Sequence, residues 1–136
     1  MRVVLDTNVI FAALVAEGLC REVFRRVARA NALATSEPLL HELDDILKRK
    51  LRITPAVTSF VTELRCRAAV VKPAPLTEQI CRDRNDDVVL GTAVAAQAQV
   101  IVTGDSDLLV LKEYRGVRIL SPRQFLELLD RAAHSR

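Results

Sequence analysis

Five short apolar runs, each too brief for a helix, alternate along this chain with longer stretches of helical periodicity. The runs are Arg2–Leu5, Ala32–Thr35, Ala69–Val71, Gln99–Thr103 and Val117–Leu120. Residues 20–30 set Cys20, Val23, Phe24, Val27 and Ala30 against Arg21, Arg25, Arg26 and Arg29, the pattern of an amphipathic helix with a basic face. Ser36 is expected to cap a helix over about 37–50, with Pro38 in its first turn and Leu39, Leu40, Leu43, Ile46 and Leu47 as its apolar set. Thr54 and Pro55 start a helix over 56–68. Residues 86–98 are apolar nearly all round and predict a buried helix opened by Asp86. A short helical turn runs through Leu108, Leu109 and Leu111, and Ser121-Pro122 open a last helix bearing Phe125, Leu126, Leu128 and Leu129. Such alternation predicts an α/β fold with a parallel sheet covered on both faces.

At 136 residues the chain is read as one domain, 1–136. Lys72-Pro73-Ala74-Pro75 is then a rigid connector, not a domain linker. With 50% apolar and 27% charged residues it is an ordinary globular composition, and no apolar stretch approaches the roughly 20 residues of a membrane span. The opening MRVVLDTNVIFAALVA superficially resembles a signal peptide, but Asp6 and Asn8 interrupt its apolar region and no cleaved signal is expected. Cys20, Cys66 and Cys81 are odd in number and fit no zinc or disulfide spacing, so they are expected to be small buried apolar side chains in a reducing cytoplasm. The net charge of +3 is compatible with nucleic acid without requiring it.

The acids carry the chemistry. Asp6 directly follows a strand, Glu42 lies in the second turn of a helix, Asp86 opens another, and Asp105 and Asp107 follow a strand and Gly104. In an alternating fold, strand C-ends and helix N-ends share the sheet edge where open α/β sheets bind ligands. Carboxylates without histidine or thiolate among them suit a hard cation such as Mg²⁺ or Mn²⁺. Thr7 and Asn8 are expected to orient the site by hydrogen bonds. On a helical wheel Glu42 sits about 40° from Ile46, at one margin of the apolar stripe, while Asp44 occupies the other margin. Periodicity does not choose between them; nearness to the helix start favours Glu42. Asp83, Asp86 and Asp87 exceed what capping one helix needs, and Asp86 is the first choice. Thr103-Gly104-Asp105-Ser106-Asp107 offers two carboxylates and two hydroxyls in one tight loop. Arg21, Arg25, Arg26 and Arg29, with Lys48-Arg49-Lys50 and Arg52, are either solvated surface or a track for phosphates. His41 and His134 belong to no triad-like arrangement and are expected at the surface.

Four stretches together resemble the PIN domain, and more closely its VapC-type toxin members. They are Val3 to Ile10, Glu42-Leu43 after Pro38-Leu39-Leu40, Asp83 to Ala93, and Val102 to Leu109. The resemblance implies a three-layer α/β/α sandwich whose five-stranded parallel sheet has the order 3-2-1-4-5. It implies a Mg²⁺- or Mn²⁺-dependent ribonuclease site of Asp6, Glu42, Asp86 and Asp105, with Asp107 accessory and Asp6, Asp86, Asp105 and Asp107 toward the metal. It further implies an RNA substrate, a small antitoxin partner and a dimer. The third motif departs from relatives that show Asp-Pro-Asp-Asp: here it reads Asp83-Arg84-Asn85-Asp86, which leaves Asp83 and Asp87 as possible substitutes.

Two other readings fit parts of the pattern. A haloacid-dehalogenase-type phosphatase also uses a strand-terminal Asp and a late Gly-Asp loop, but needs a second Asp where this chain has Asn8. A catalytically idle PIN fold that binds RNA or protein would share every structural feature above.

Overall fold

β1 (Val3–Leu5) lies at the middle of a six-stranded sheet of order β3-β2-β1-β4-β6-β5. The computed structural model describes residues 1–134. After β1 come α1 (Thr7–Val15), α2 (Leu19–Arg29), β2 (Leu33–Ser36), α3 (Glu37–Leu51), α4 (Thr54–Arg67) and β3 (Ala69–Val71). The second half comprises α5 (Arg84–Ala96), β4 (Val100–Val102), α6 (Ser106–Leu109), β5 (Glu113–Tyr114), β6 (Val117–Leu120) and α7 (Pro122–His134).

Five strands are parallel, with Val3 opposite both Leu33 and Val100, and Val102 opposite Leu120. Their spatial order is the expected one. The sixth strand, β5, is a correction: it runs antiparallel to β6 at the sheet edge, pairing Tyr114 with Val117. The two-residue loop between them is Arg115-Gly116, with φ of 48° and 83°. Both positive values match the primed turns that join twisted strands. Arg-Gly is a weaker hairpin signal than Asn-Gly, and two residues leave no alternation to read.

Every residue of β1, β2 and β4 is buried, as a strand covered on both faces requires. Successive side chains enter opposite layers. Val3, Leu5, Val100 and Val102 pack with α1, α2, α3, α4 and α7 through Ile10, Val23, Leu43, Val61 and Phe125. Val4, Ala34, Ile101 and Ile119 face α5 and α6 through Leu90, Ala93 and Leu108. The three-layer sandwich is thus present. Burying all of α5's Val89–Ala93 explains why that helix shows no polar face.

Local details differ from expectation at four places. α1 begins immediately after β1, so Asp6-Thr7-Asn8 is a helix start and not merely a strand end. α5 opens two residues earlier than expected, with Asp83 as its N-cap and Asp86 in its first turn. Ser36 stands at the cap position of α3 but its side chain makes no capping bond. Its hydroxyl instead donates over 2.8 Å to Thr92 Oγ1, whose own proton goes to the Val88 carbonyl, tying β2 to α5. Cys66 is exposed, whereas Cys81 is buried and Cys20 partly so; all three are free thiols. No helix among the described residues is long and apolar enough to cross a membrane.

The connector at 72–75 lies against α5. Ala74 N donates to the Gly91 carbonyl at 2.9 Å, and a Cβ on Gly91 would sit 2.5 Å from the Ala74 oxygen. Gly91 is the residue that permits this approach of two backbones.

Candidate functional site

Chain order reverses between β1 and β4, the point at which open α/β sheets form their ligand crevice. Asp6 leaves the end of β1 there, and Thr103 to Asp105 leave the end of β4. Asp6 is only 7% exposed, yet both its oxygens are engaged. Oδ1 accepts from Thr7 N at 2.8 Å and Oδ2 from Thr103 Oγ1 at 2.7 Å. The same Thr103 oxygen accepts from Asp105 N at 3.0 Å, and Asp105 Oδ1 in turn accepts from Asp107 N at 2.9 Å, capping α6. One hydroxyl therefore links the two strand ends and sets the Gly104 loop.

One carboxylate oxygen each from Asp86, Asp105 and Asp107 falls within a span of 4.8 Å. Asp6 stands behind this group, close enough to raise the pKa of Asp86, and Glu42 faces Asp6 from α3. Asp6 lies outside that tightest trio, its oxygens bound by Thr7 and Thr103.

The electrostatics follow from packing acids together. Burial pushes the Asp86 carboxyl up to about 7, aided by Asp105, Asp6 and Asp83, with Asp105 close enough to share its proton. Burial also raises Glu42, with Asp6 and Asp83 adding to it and Thr7 opposing. Asp6 rises for the same first reason, held back by its bonds from Thr103 and Thr7 while Asp105 adds to the rise. The buried Thr7 hydroxyl lies near enough to Asp6 and Glu42 to lower both, but reaches hydrogen-bonding geometry with no partner among the described residues. Crowded oxygens with raised pKa values, beside an unsatisfied hydroxyl, are a donor set that fits a hard divalent cation.

The alternatives left open by periodicity separate here. Asp44 pairs with Lys48 at 2.9 Å, whereas Glu42 faces Asp6. Asp87 accepts from Ile80 N at 3.1 Å and Cys81 N at 2.8 Å, stapling the loop before α5. Asp83 caps α5 through its bond from Asn85 N and contributes only its charge. Asn8 is exposed and forms no hydrogen bond to the carboxylates, contrary to its expected orienting role. His41 is exposed, 3.5 Å from Asp45.

The basic face of α2 is also corrected in part. Arg21 donates to the Ala13 carbonyl at 2.9 Å, and Arg26 joins Glu22 at 3.2 Å and Asp130 of α7 at 2.9 Å. Those two arginines hold helices together, while Arg25 and Arg29 remain exposed. Periodicity missed one charged neighbour, Arg82, which is 87% exposed and binds Asp107 Oδ1 at 2.7 Å. Its only sequence signal was its place directly before Asp83.

Residues 2–107 match the model of the PIN domain family. The chain belongs to the PIN domain family. No curated protein matches it in sequence. Among solved structures, this PIN domain is similar to VapBC2 from Rickettsia felis bound to a DNA fragment from its promoter, with TM-score 0.61 and 16% identity, over 89% of this chain and 98% of that one. It is similar to DNA-bound VapBC from Salmonella typhimurium, with TM-score 0.59 and 20% identity, over 90% and 98% of the two chains. A third likeness is to PAE2754 from Pyrobaculum aerophilum, with TM-score 0.60 and 16% identity, over 96% and 90%. At such identities these likenesses describe the fold.

Proposed function

We propose that this PIN domain is a Mg²⁺- or Mn²⁺-dependent endoribonuclease and acts as the toxin of a toxin-antitoxin pair in the cytoplasm. The observation that carries the reading is the convergence of Asp86, Asp105 and Asp107 beside Asp6 and Glu42 at the sheet's switch point. Family membership and the likeness to two VapBC structures support it. They also support a small antitoxin as partner; the dimer expected of VapC-type toxins is carried with the same proposal.

Asp86, Asp105 and Asp107 would hold the cation, with Asp6 completing the field behind them. Once bound, such an ion lowers the pKa of water and stabilises charge on a departing oxygen. The chain's own groups then have distinct work. Thr7 and Thr103 fix the Asp6 carboxylate so that it cannot swing away. Glu42, partly buried and with its pKa raised by that burial and by Asp6, is placed to accept a proton beside the cluster. Thr103 also fixes Asp105 through its backbone N–H.

The phosphatase reading loses support from the family match and from Asn8, an exposed amide where that chemistry needs a second acid. The idle PIN fold is separated by experiment. Purified protein, free of antitoxin, is given a mixed structured RNA with EDTA, Mg²⁺ or Mn²⁺, beside Asp6→Asn and Asp86→Asn. Cleavage that needs the metal and disappears in both variants supports the nuclease. RNA binding without cleavage by metal-loaded wild type points to the idle fold.

A further inference from the structure

A groove of about 380 Å³ opens beside the carboxylates, between α3 and the first turns of α5, and Glu42 forms part of its wall. Resting on the nuclease reading above, we infer that this groove seats the nucleotide next to the cleaved phosphate and sets the preference for its base. α3 lines it with residues 38, 41, 42, 45, 46 and 49, spaced so that they form one stripe along the helix. α5 closes the other side with Asn85 and Val88.

The lining is ordered by chemistry. Pro38, Ile46 and Val88 give an apolar wall against which a base can pack. Asn85, exposed in the first turn of α5, presents an amide that can both donate and accept, as the edge of an unpaired base requires. Arg49 lies seven residues beyond Glu42, about 10 Å further along the helix. It is exposed and in no ion pair among the described residues. It is therefore free for a backbone phosphate. Asp45, the acid at that level, is 3.5 Å from His41, which offsets its charge when protonated. The departure of the third motif acquires a purpose here: Asn85 is neutral, so a second carboxylate does not repel the strand where it turns into the groove.

An RNA strand drawn to the metal cluster has an exit along this groove with apolar contact, an amide and a cation in sequence. RNA of this kind is recognised through unpaired bases, and phosphate contacts add affinity without sequence preference. Arg49 and Asn85 should then fail differently.

The test uses the full chain with Arg49→Gln and Asn85→Ala, both at exposed positions that leave the core intact. Cleavage of a mixed single-stranded RNA in Mn²⁺ gives kcat, KM and the base preference around each cut. Anisotropy of a labelled RNA decamer in EDTA gives binding, uncut, across a salt series. Arg49→Gln should raise KM about three- to tenfold with kcat nearly unchanged, and should flatten the salt slope by about 0.7, the value of one phosphate contact on a single strand. Asn85→Ala should relax base preference at one position beside the cut and leave the salt slope alone. Unchanged KM, slope and cleavage pattern in both variants, with an active wild type, overturn the assignment and leave the groove to a protein segment. A wild type that neither cuts nor binds RNA overturns the nuclease reading itself, and the groove's role with it.

Discussion

The Thr103 hydroxyl donates to Asp6 Oδ2 across the boundary between β4 and β1, over 2.7 Å, with Thr103 fully buried. This bond holds down a carboxylate that burial and Asp105 push up. It also orients Asp105, because the same oxygen accepts that residue's N–H. A single side chain thus controls both the ionisation of one acid and the position of another.

Thr103→Val keeps the shape and deletes the bond. Losing a buried hydrogen bond to a charged group should cost about 1–3 kcal/mol in urea unfolding. Mn²⁺ affinity measured by calorimetry should fall as well, because Asp6 becomes harder to ionise and Asp105 is less well fixed. Thr103→Ser should restore much of both. Wild-type Mn²⁺ affinity in Thr103→Val would show that the hydroxyl serves stability alone.

The acid cluster makes the metal-free protein sensitive to pH. The Asp86 carboxyl, ordinarily near 3.8, stands at about 7 in the folded chain, so folding takes up a proton between those values. Its stabilising contribution is complete below the lower value and is lost as pH rises through the upper one. Asp6 and Glu42 are displaced in the same direction. Metal-free protein should therefore melt lower at about pH 8 than at about pH 5.5. Mn²⁺ should raise Tm more at the higher pH, where Asp86 is already ionised. An equal rise at both values would remove the cluster as the binding site.

Asp86 and its neighbour Asp87 should respond oppositely to the same change. Asp86→Asn removes a charge from a repelling group, so the metal-free variant should be as stable as wild type or more so at about pH 8, with Mn²⁺ binding lost. Asp87→Asn weakens the carboxylate that holds Ile80 N and Cys81 N, so it should lose stability and keep the metal. Paired thermal melts and Mn²⁺ titrations decide the matter; metal loss in Asp87→Asn alone would reverse the assignment of the two acids.

Much of this architecture could be read from pattern. Val3–Leu5 and Val100–Val102 are continuous apolar runs because they are buried on both faces, and α5 lacks a polar side for the same reason. The acids were conspicuous because each adjoins such a run. What pattern could not resolve lies in directions of side chains across the sheet. Glu42 and Asp44 are equivalent on a helical wheel, and only the neighbouring strand β1 supplies Asp6 to distinguish them. Asp83, Asp86 and Asp87 are likewise separated by a cap, a cluster and a loop that exist only once α5 is docked. β5 escaped because two residues carry no period, and α1 because its polar start read as a strand end. Arg82 escaped because its partner is 25 residues away.

Arg82 competes with any cation for Asp107. Its guanidinium binds Asp107 Oδ1 at 2.7 Å, yet the arginine side chain is 87% exposed and so is weakly held. Arg82→Gln frees one of the three clustered carboxylates and removes a positive charge from its edge. Mn²⁺ should therefore bind more tightly, by a few-fold, while Arg82→Lys should stay close to wild type because it keeps the charge. Calorimetry at low ionic strength provides the comparison, and added salt should narrow the difference by screening an exposed pair. Weaker Mn²⁺ binding in Arg82→Gln would mean instead that the arginine holds Asp107 in position for the ion. In that case the cluster's geometry would matter more than its net charge.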